Sequence, residues 1–282
     1  MRVHLTGMDR NDRSGGFSFN RNIQKALPEV NWIADYERAD VIFVTSATLV
    51  DTERLYRAKQ RGAKILFRVD NLPKESNNRG TAYSRLKLCA EMADVIVYQS
   101  EWAKYYVGWF VASFGKKDRV IYNGVDTSLF HGQRERGNSN FLYVGRKAEL
   151  NKHWGEAWYK FHLEFRANQN VMLNLVGTFP SDVVANNFDF VAGEQVQFWG
   201  QVNEEQMAIL YQNTDVLLAP YFNDAFSNVL VEAYVSGCKI WLGESGNTGG
   251  TPEMFDYPRS FYTLERMGAQ YRECLKNLYE KK

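Results

Sequence analysis

The sequence predicts an α/β protein of two lobes, each built of βα units around a parallel sheet. Three observations predict it. Short β-branched and apolar runs alternate with longer stretches of helical spacing, the alternation runs through both halves of the chain, and a polar, glycine-containing linker separates the halves. In the first half the expected strands are 3–6, 41–45, 64–69, 95–99 and 119–122; in the second they are 141–144, 171–176, 196–199, 216–219 and 238–242. Helical spacing fills 52–61, 83–92, 101–114 and 204–212, and further helices are expected to begin near Ser18 and near Asn228. The linker, 132–140, follows the turn-like pair Asn123-Gly124. Domain boundaries are therefore expected at 1–131 and 132–262. The last stretch, 263–282, places Met267, Tyr271, Cys274, Leu275 and Leu278 on one helical face, which is expected to pack back on the N-terminal domain.

A chain of 282 residues can bury a sizeable core without disulfide or metal staples. With 45% apolar and 24% charged residues it is neither disordered, collagenous nor a coiled coil; the unusual feature of its composition is 15% aromatic residues. The net charge of +1 gives no sign of a polyanion partner, but it conceals a split: residues 1–130 hold 20 basic and 15 acidic side chains, the remainder 14 and 18. Cys89, Cys238 and Cys274 are far apart and in no metal-ligand spacing, so they read as reduced thiols. The N-terminal stretch carries no apolar signal segment, and no run of about 18 apolar residues occurs. A cytoplasmic location, in the cytosol or on the inner membrane surface, is expected.

Three blocks carry chemistry: Arg119-Val-Ile-Tyr-Asn-Gly-Val-Asp-Thr-Ser-Leu-Phe130, Tyr143-Val-Gly-Arg-Lys-Ala-Glu-Leu-Asn-Lys152 and Asp224-Ala-Phe-Ser-Asn-Val-Leu-Val-Glu-Ala233. In order and spacing they resemble the GT-B glycosyltransferases of family 4, most strongly from about residue 94 to 255. The resemblance implies a GT-B fold, two Rossmann-like domains whose parallel sheets face a central cleft. It also implies a nucleotide-diphosphate sugar of the UDP or GDP type as donor, held mainly by the C-terminal domain, with no cofactor and no metal required. Transfer would retain the anomeric configuration, the departing phosphate oxygen taking the proton of the acceptor hydroxyl.

Arg146 and Lys152 flank a loop after a strand. Two cations there would stabilise a diphosphate leaving group more strongly as its charge grows, although a pair of solvated surface cations is the structural alternative. Asp224 and Glu232 stand where the family carries a Glu-x7-Glu motif, and the resemblance assigns the second acid to the ribose hydroxyls and the first to the transferred sugar. A carboxylate suits a vicinal diol because its two oxygens accept from both hydroxyls. Phe226, Ser227 and Asn228 lie between the acids and would present backbone N–H groups at a helix start to the donor. The first acid departs from the family pattern by being Asp, one methylene shorter. Gly15 and Gly16 resemble the family's glycine-rich N-terminal loop and read either as donor contacts or as a plain turn.

The acceptor side rests on Arg68 and Asp70, at the carboxyl end of an expected strand, and on Arg79 in a basic loop. The aromatic stretch Trp102, Tyr105, Tyr106, Trp109, Phe110 and Phe114 reads as core packing, with a membrane-surface or base-stacking face as the alternative. His4, His131, His153 and His162 form no metal or hydrolase constellation. The expected activity is sugar transfer to a cell-surface glycan or lipid-linked precursor, with possible peripheral membrane contact. The alternatives are a phage-type transferase acting on hydroxymethylated DNA, a GT-B epimerase or phosphorylase, and a non-catalytic nucleotide-sugar-binding module.

Overall fold

The computed structural model describes residues 1–8, 15–70, 72, 79–115, 118–132, 135, 137–145, 152–179, 195–244 and 249–280. The chain divides into two units: Met1–Asp126 with Ala225–Asn228 and Gly249–Lys282, and Thr127–Asp224 with Val229–Thr248.

The first unit opens with β1 (Arg2–Leu5), α1 (Gly15–Ala26), β2 (Asn31–Trp32), β3 (Val41–Val44), α2 (Thr52–Gln60), β4 (Lys64–Val69), α3 (Arg79–Met92), β5 (Val95–Tyr98), α4 (Glu101–Phe110) and β6 (Asp118–Val120). Its six strands are all parallel in the order β2-β1-β3-β4-β5-β6. β3 reads Val-Ile-Phe-Val and is buried at every position, because a central parallel strand is covered on both faces. Helix starts follow local capping chemistry. The Asp51 carboxylate accepts from the N–H groups of Glu53 and Arg54, at 2.9 and 3.1 Å, and Ser100 Oγ accepts from Ala103 N–H at 3.0 Å.

Several bounds differ from expectation, and two differences have a clear local cause. The two-residue β2 is too short to leave an apolar period in the sequence. Helix α4 stops at Phe110 instead of running to 114: Val111 is its C-cap, with its N–H donating to Val107 O and its carbonyl accepting from Tyr83 Oη–H at 3.1 Å, and Gly115 then turns the chain at φ +74°.

The second unit contains β7 (Asn140–Val144), α5 (Trp154–Ala167), β8 (Met172–Val176), β9 (Val196–Gly200), α6 (Glu204–Asn213), β10 (Val216–Leu218) and β11 (Lys239–Trp241), with α7 (Asn228–Val235) between the last two strands. Its five parallel strands run in the order β11-β10-β7-β8-β9. The buried carboxylate of Asp215 accepts from the N–H groups of Gly137, Ser139 and Asn140 at 3.0–3.1 Å, which ties the beginning of β10 to the beginning of β7. Between Asp224 and Val229 the chain contributes Ala225–Asn228 to the first unit.

The final helix, α8 (Leu264–Glu280), belongs to the first unit. Its stripe of Met267, Tyr271, Cys274, Leu275 and Leu278 is buried, with Tyr271 5.7 Å from Phe19 and 5.3 Å from Phe43 between ring centroids. Gly268 allows the close approach to α1, since a Cβ there would stand 2.8 Å from the Ala26 carbonyl oxygen. In each sheet the strand order reverses at one place, between β1 and β3 in the first unit and between β7 and β10 in the second. The carboxyl ends of strands at such a reversal are where open α/β sheets bind ligands.

Candidate functional site

At the β7/β10 reversal the structure assembles a compact charged group. Tyr221, just past β10, donates from its hydroxyl to the Val144 carbonyl at the end of β7, at 2.5 Å. Lys152 Nζ lies 3.5 Å from the centroid of that tyrosine ring and 3.1 Å from Asp224 Oδ2. The Lys152 and Asp224 side chains are only 15% and 17% exposed, so the pair interacts in a medium less polarisable than water and with its charge already offset. The Lys152 backbone is held as well, its carbonyl accepting from Tyr143 Oη–H at 3.2 Å. Next to it His153 takes a left-handed φ of 45° and stacks on Phe222 at 5.6 Å, with Nδ1 3.4 Å from Glu156 Oε2. Arg146 lies outside the described residues.

The chain just past β7 and β8 is held close by glycine. Gly177 follows β8 at φ +122°, and a Cβ on it would stand 1.9 Å from the Gly145 carbonyl oxygen. Gly145 N–H in turn donates to Val176 O at 3.0 Å.

Glu232 sits on α7, half-buried, and its Oε2 accepts from Tyr211 Oη–H at 3.2 Å. Burial first, and the Glu232 charge second, push the Tyr211 phenol well above its ordinary value, so it stays a donor, shared between Glu232 Oε2 and Val229 O at 3.2 Å each. The other carboxylate oxygen is thus distinguished from the one Tyr211 holds.

The segment between the two acids is fixed within the first unit. Ala225 O accepts from Ser100 Oγ–H at 2.6 Å. Phe226 is buried, with Tyr122 and Tyr262 ring centroids at 5.2 and 5.9 Å. Ser227 is half-buried, and Asn228 opens α7 with its Oδ1 accepting from Asn123 Nδ2 at 2.8 Å. The loop Gly249-Gly250-Thr-Pro-Glu253 turns into a 3-10 helix over Thr251–Asp256 and docks against the same place. A Cβ on Gly250 would lie 2.2 Å from Ser100 Oγ and 2.3 Å from Ala225 O. The Glu253 carboxylate caps α4, accepting from the N–H groups of Glu101 and Trp102 at 2.9 and 2.6 Å, and from Tyr122 Oη–H at 2.9 Å.

Of the other expected residues, Gly15 and Gly16 form the opening turn of α1, ahead of the start expected near Ser18. Arg68 is corrected. It is 2% exposed and enclosed, donating to Thr45 O at 3.4 Å, Gln99 Oε1 at 2.6 Å and Asn123 Oδ1 at 3.2 Å, above the Phe19 ring. Its guanidinium is a structural donor rather than a group facing an acceptor, and burial lowers its pKa. Asp70 follows β4 and is half-buried; Arg79 opens α3, with its side chain outside the described residues. Of the aromatic stretch, Trp102, Tyr106 and Phe114 pack against the core, while Tyr105, Trp109 and Phe110 are 63, 72 and 65% exposed. Among the described residues no three His, Cys, Asp or Glu side chains form a metal-binding group, and no helix is long and apolar enough to cross a membrane.

Residues 138–255 match the family model described as "Glycosyl transferases group 1". That stretch, less than half of the chain, is similar to a group 1 glycosyltransferase domain. It contains Lys152, Tyr221 and Asp224 at the sheet reversal and the Tyr211–Glu232 pair. No curated protein sequence matches the chain. Solved structures do. Sucrose-phosphate synthase of Thermosynechococcus elongatus aligns with a TM-score of 0.77 at 14% identity, covering 100% of both chains. HepE of Anabaena, in complex with UDP and glucose, aligns with a TM-score of 0.70 at 11% identity, covering 99% of this chain and 100% of that one. AviGT4, a glycosyltransferase of avilamycin A biosynthesis, aligns with a TM-score of 0.65 at 14% identity over 99% of this chain and 98% of its own. At these identities the likeness is one of fold, and the fold is the expected GT-B.

Proposed function

We propose that the protein is a retaining, metal-independent glycosyltransferase of the family 4 type, moving a sugar from a UDP- or GDP-type nucleotide sugar to the hydroxyl of a cell-surface glycan or its lipid-linked precursor. The observation that carries this is the Lys152–Asp224 pair at the β7/β10 reversal of the stretch similar to a glycosyltransferase domain, with Glu232 on the following helix. HepE, of the same fold, is solved in complex with UDP-glucose.

In this mechanism Lys152 and Arg146 neutralise the diphosphate as the bond from the sugar's anomeric carbon to the phosphate oxygen breaks. The acceptor oxygen bonds to that carbon on the same face, and its proton passes to the phosphate oxygen that has just left. Asp224 meets the sugar hydroxyls and Glu232 the ribose diol, with Phe226, Ser227 and Asn228 framing the donor and Gly15 and Gly16 bringing backbone N–H groups from α1. Asp70 and Arg79 are assigned to the acceptor.

The exposed Tyr105, Trp109 and Phe110 favour a lipid-linked acceptor over modified DNA, because exposed aromatic side chains gather at membrane interfaces. On this reading the protein works peripherally, at the cytosolic surface of a membrane. The test is incubation with a panel of UDP- and GDP-sugars, with and without lipid-linked and glycan acceptors, in the presence of EDTA. Acceptor-dependent release of nucleotide is expected. Acceptor-free isomerisation, binding without release, or wild-type turnover by folded Arg146→Ala and Glu232→Ala variants would overturn the assignment.

A further inference from the structure

The first sheet is not fully covered on the face that carries α1 and α8. Leu66, Val97 and Ile121 point to that face and are buried together with the α8 stripe. By alternation along the strands, Lys64, Val95 and Arg119 point the same way, nearer the amino ends of β4, β5 and β6. There a cavity of about 280 Å³ separates the strands from α8. All its lining residues belong to the first unit. It lies at the opposite end of the strands from the carboxyl ends, where a sheet of this kind receives its substrates.

A cavity left empty by imperfect packing is apolar. This one is not. Alongside buried Cys274 and Leu278, α8 turns Gln270, Glu273 and Asn277 towards it, opposite the half-buried Val95. A parallel sheet is normally covered on both faces by apolar side chains, so a polar helix wall over a strand points to a polar occupant. The charges on the two walls also do not meet. Lys64 and Arg119 stand on the strand side and Glu273 on the helix side, and among the described residues none of the three forms an ion pair. Asp94, by contrast, is satisfied, its Oδ2 accepting from Lys59 Nζ at 2.6 Å and from Ile65 N–H at 2.8 Å. Arg119 uses one donor on the Asp118 carbonyl, at 2.9 Å. Both opposite charges act on the Cys274 thiol: burial raises its pKa most, Arg119 lowers it and Glu273 raises it.

We infer that this cavity is a second binding site, for a small organic anion whose body carries hydroxyl groups. Lysine and arginine only donate, so the strand wall takes a carboxylate or a phosphate. The Glu273 carboxylate only accepts, so the helix wall takes hydroxyl donors, with the Asn277 amide beside it able to do either. Val95 and Ile121 form the apolar floor against the carbon skeleton. The site is separate from the proposed transfer reaction and does not rest on it.

The experiment uses the full chain without nucleotide, so its outcome is independent of the transferase function. Calorimetry compares gluconate and glycerol 3-phosphate, which carry the two kinds of anionic head on a hydroxylated body, with inorganic phosphate and glycerol, which each carry one feature alone. One of the first two is expected to bind at least about tenfold more tightly than either control. Lys64→Ala and Arg119→Ala are each expected to weaken it about tenfold, and Glu273→Ala about threefold. Arg119 and Glu273 are exposed, so their variants are expected to fold. Asn277→Trp, at an exposed helix position, fills the cavity and is expected to abolish binding. Cys274 supplies a second readout by mass spectrometry: the bound anion is expected to slow its alkylation at least about fivefold more than that of Cys89, which lies in the other core cluster of the first unit. No binding of either compound, a control that binds as tightly, unaffected variants, or equal slowing at Cys274 and Cys89 would each overturn the inference.

Discussion

Lys152 and Asp224, 72 residues apart in sequence, meet at 3.1 Å on the face of Tyr221. Each charge is offset by the other before any ligand arrives. A nucleotide diphosphate entering this place brings its own negative charge and competes with Asp224 for the ammonium. On the proposed function, the carboxylate would then be released for the hydroxyls of the sugar that accompanies the diphosphate, and the pair would couple recognition of the two ends of the donor.

Breaking that pair has separable effects. Asp224→Asn leaves a mostly buried ammonium against the ring without its carboxylate and is expected to cost about 1–3 kcal/mol of stability, read as a lower urea midpoint at unchanged slope. Lys152→Ala is expected to lower transfer by about 100-fold or more, and Lys152→Arg to recover part of it, because a cation rather than a particular shape meets the leaving group. Wild-type turnover by a folded Lys152→Ala protein would remove Lys152 from the chemistry.

Glu232 and Tyr211 make a graded pair. Glu232→Gln keeps the size but changes one carboxylate oxygen into an NH2, so the residue no longer offers two acceptors to a diol, and nucleotide affinity is expected to fall about 10-fold or more. Tyr211→Phe removes only the hydroxyl that orients Oε2, and a smaller loss, about threefold, is expected. Calorimetry with UDP and GDP gives both values; a larger effect from Tyr211→Phe than from Glu232→Gln would contradict the ribose contact.

Glycine positions allow a controlled comparison. Gly62 and Gly177 both have positive φ, +89° and +122°, but a Cβ on Gly62 meets nothing within 4 Å while one on Gly177 meets Gly145 O at 1.9 Å. Gly62→Ala is expected to cost about 1 kcal/mol from backbone strain alone. Gly177→Ala adds a collision with backbone that cannot move without disturbing β7, and is expected to cost several times as much, about 3 kcal/mol or more, with loss of donor binding. Urea titration of the two variants side by side reads the difference.

What the sequence made legible follows from distance along the chain. The strands could be placed because a parallel sheet covered on both faces needs unbroken apolar runs such as Val41–Val44, and β4 falls where expected at Lys64–Val69. Lys152, Asp224 and Glu232 could be singled out as candidates because their blocks are local and ordered. Their supports were not: Tyr221 reads as one more aromatic residue until the fold lays it under Lys152. Glu253 stands 151 residues from the Trp102 N–H it caps, and Asn123 stands 105 residues from Asn228. Arg68 misled for a related reason. A charged residue near a strand end suggests a ligand contact, but the register of β4 between β3 and β5 sets it among Thr45, Gln99 and Asn123, partners no local pattern announces.

The buried thiols and phenols predict how stability ends at high pH. Burial pushes the Cys89 thiol up to about 12 and the Cys274 thiol up to about 11, and it raises the phenols of Tyr211 and Tyr271 above their ordinary value. In the unfolded chain the thiols release their protons near 9 and the phenols near 10, while the folded protein still holds them. Over that window the folded state binds more protons than the unfolded one, so stability is fully present below about pH 9 and falls as pH rises towards 11. Arg68, whose pKa burial lowers, acts in the opposite sense between its folded value and its ordinary one. The expected result is a urea midpoint that is flat from about pH 7 to 8.5 and drops steeply from about 9 to 11. All three cysteines are free and buried, so their alkylation by iodoacetamide at about pH 9 is expected to be slow in the folded protein and rapid in urea. A midpoint unchanged up to about pH 11, or native thiols that react as fast as unfolded ones, would show that these groups are not held protonated by the fold.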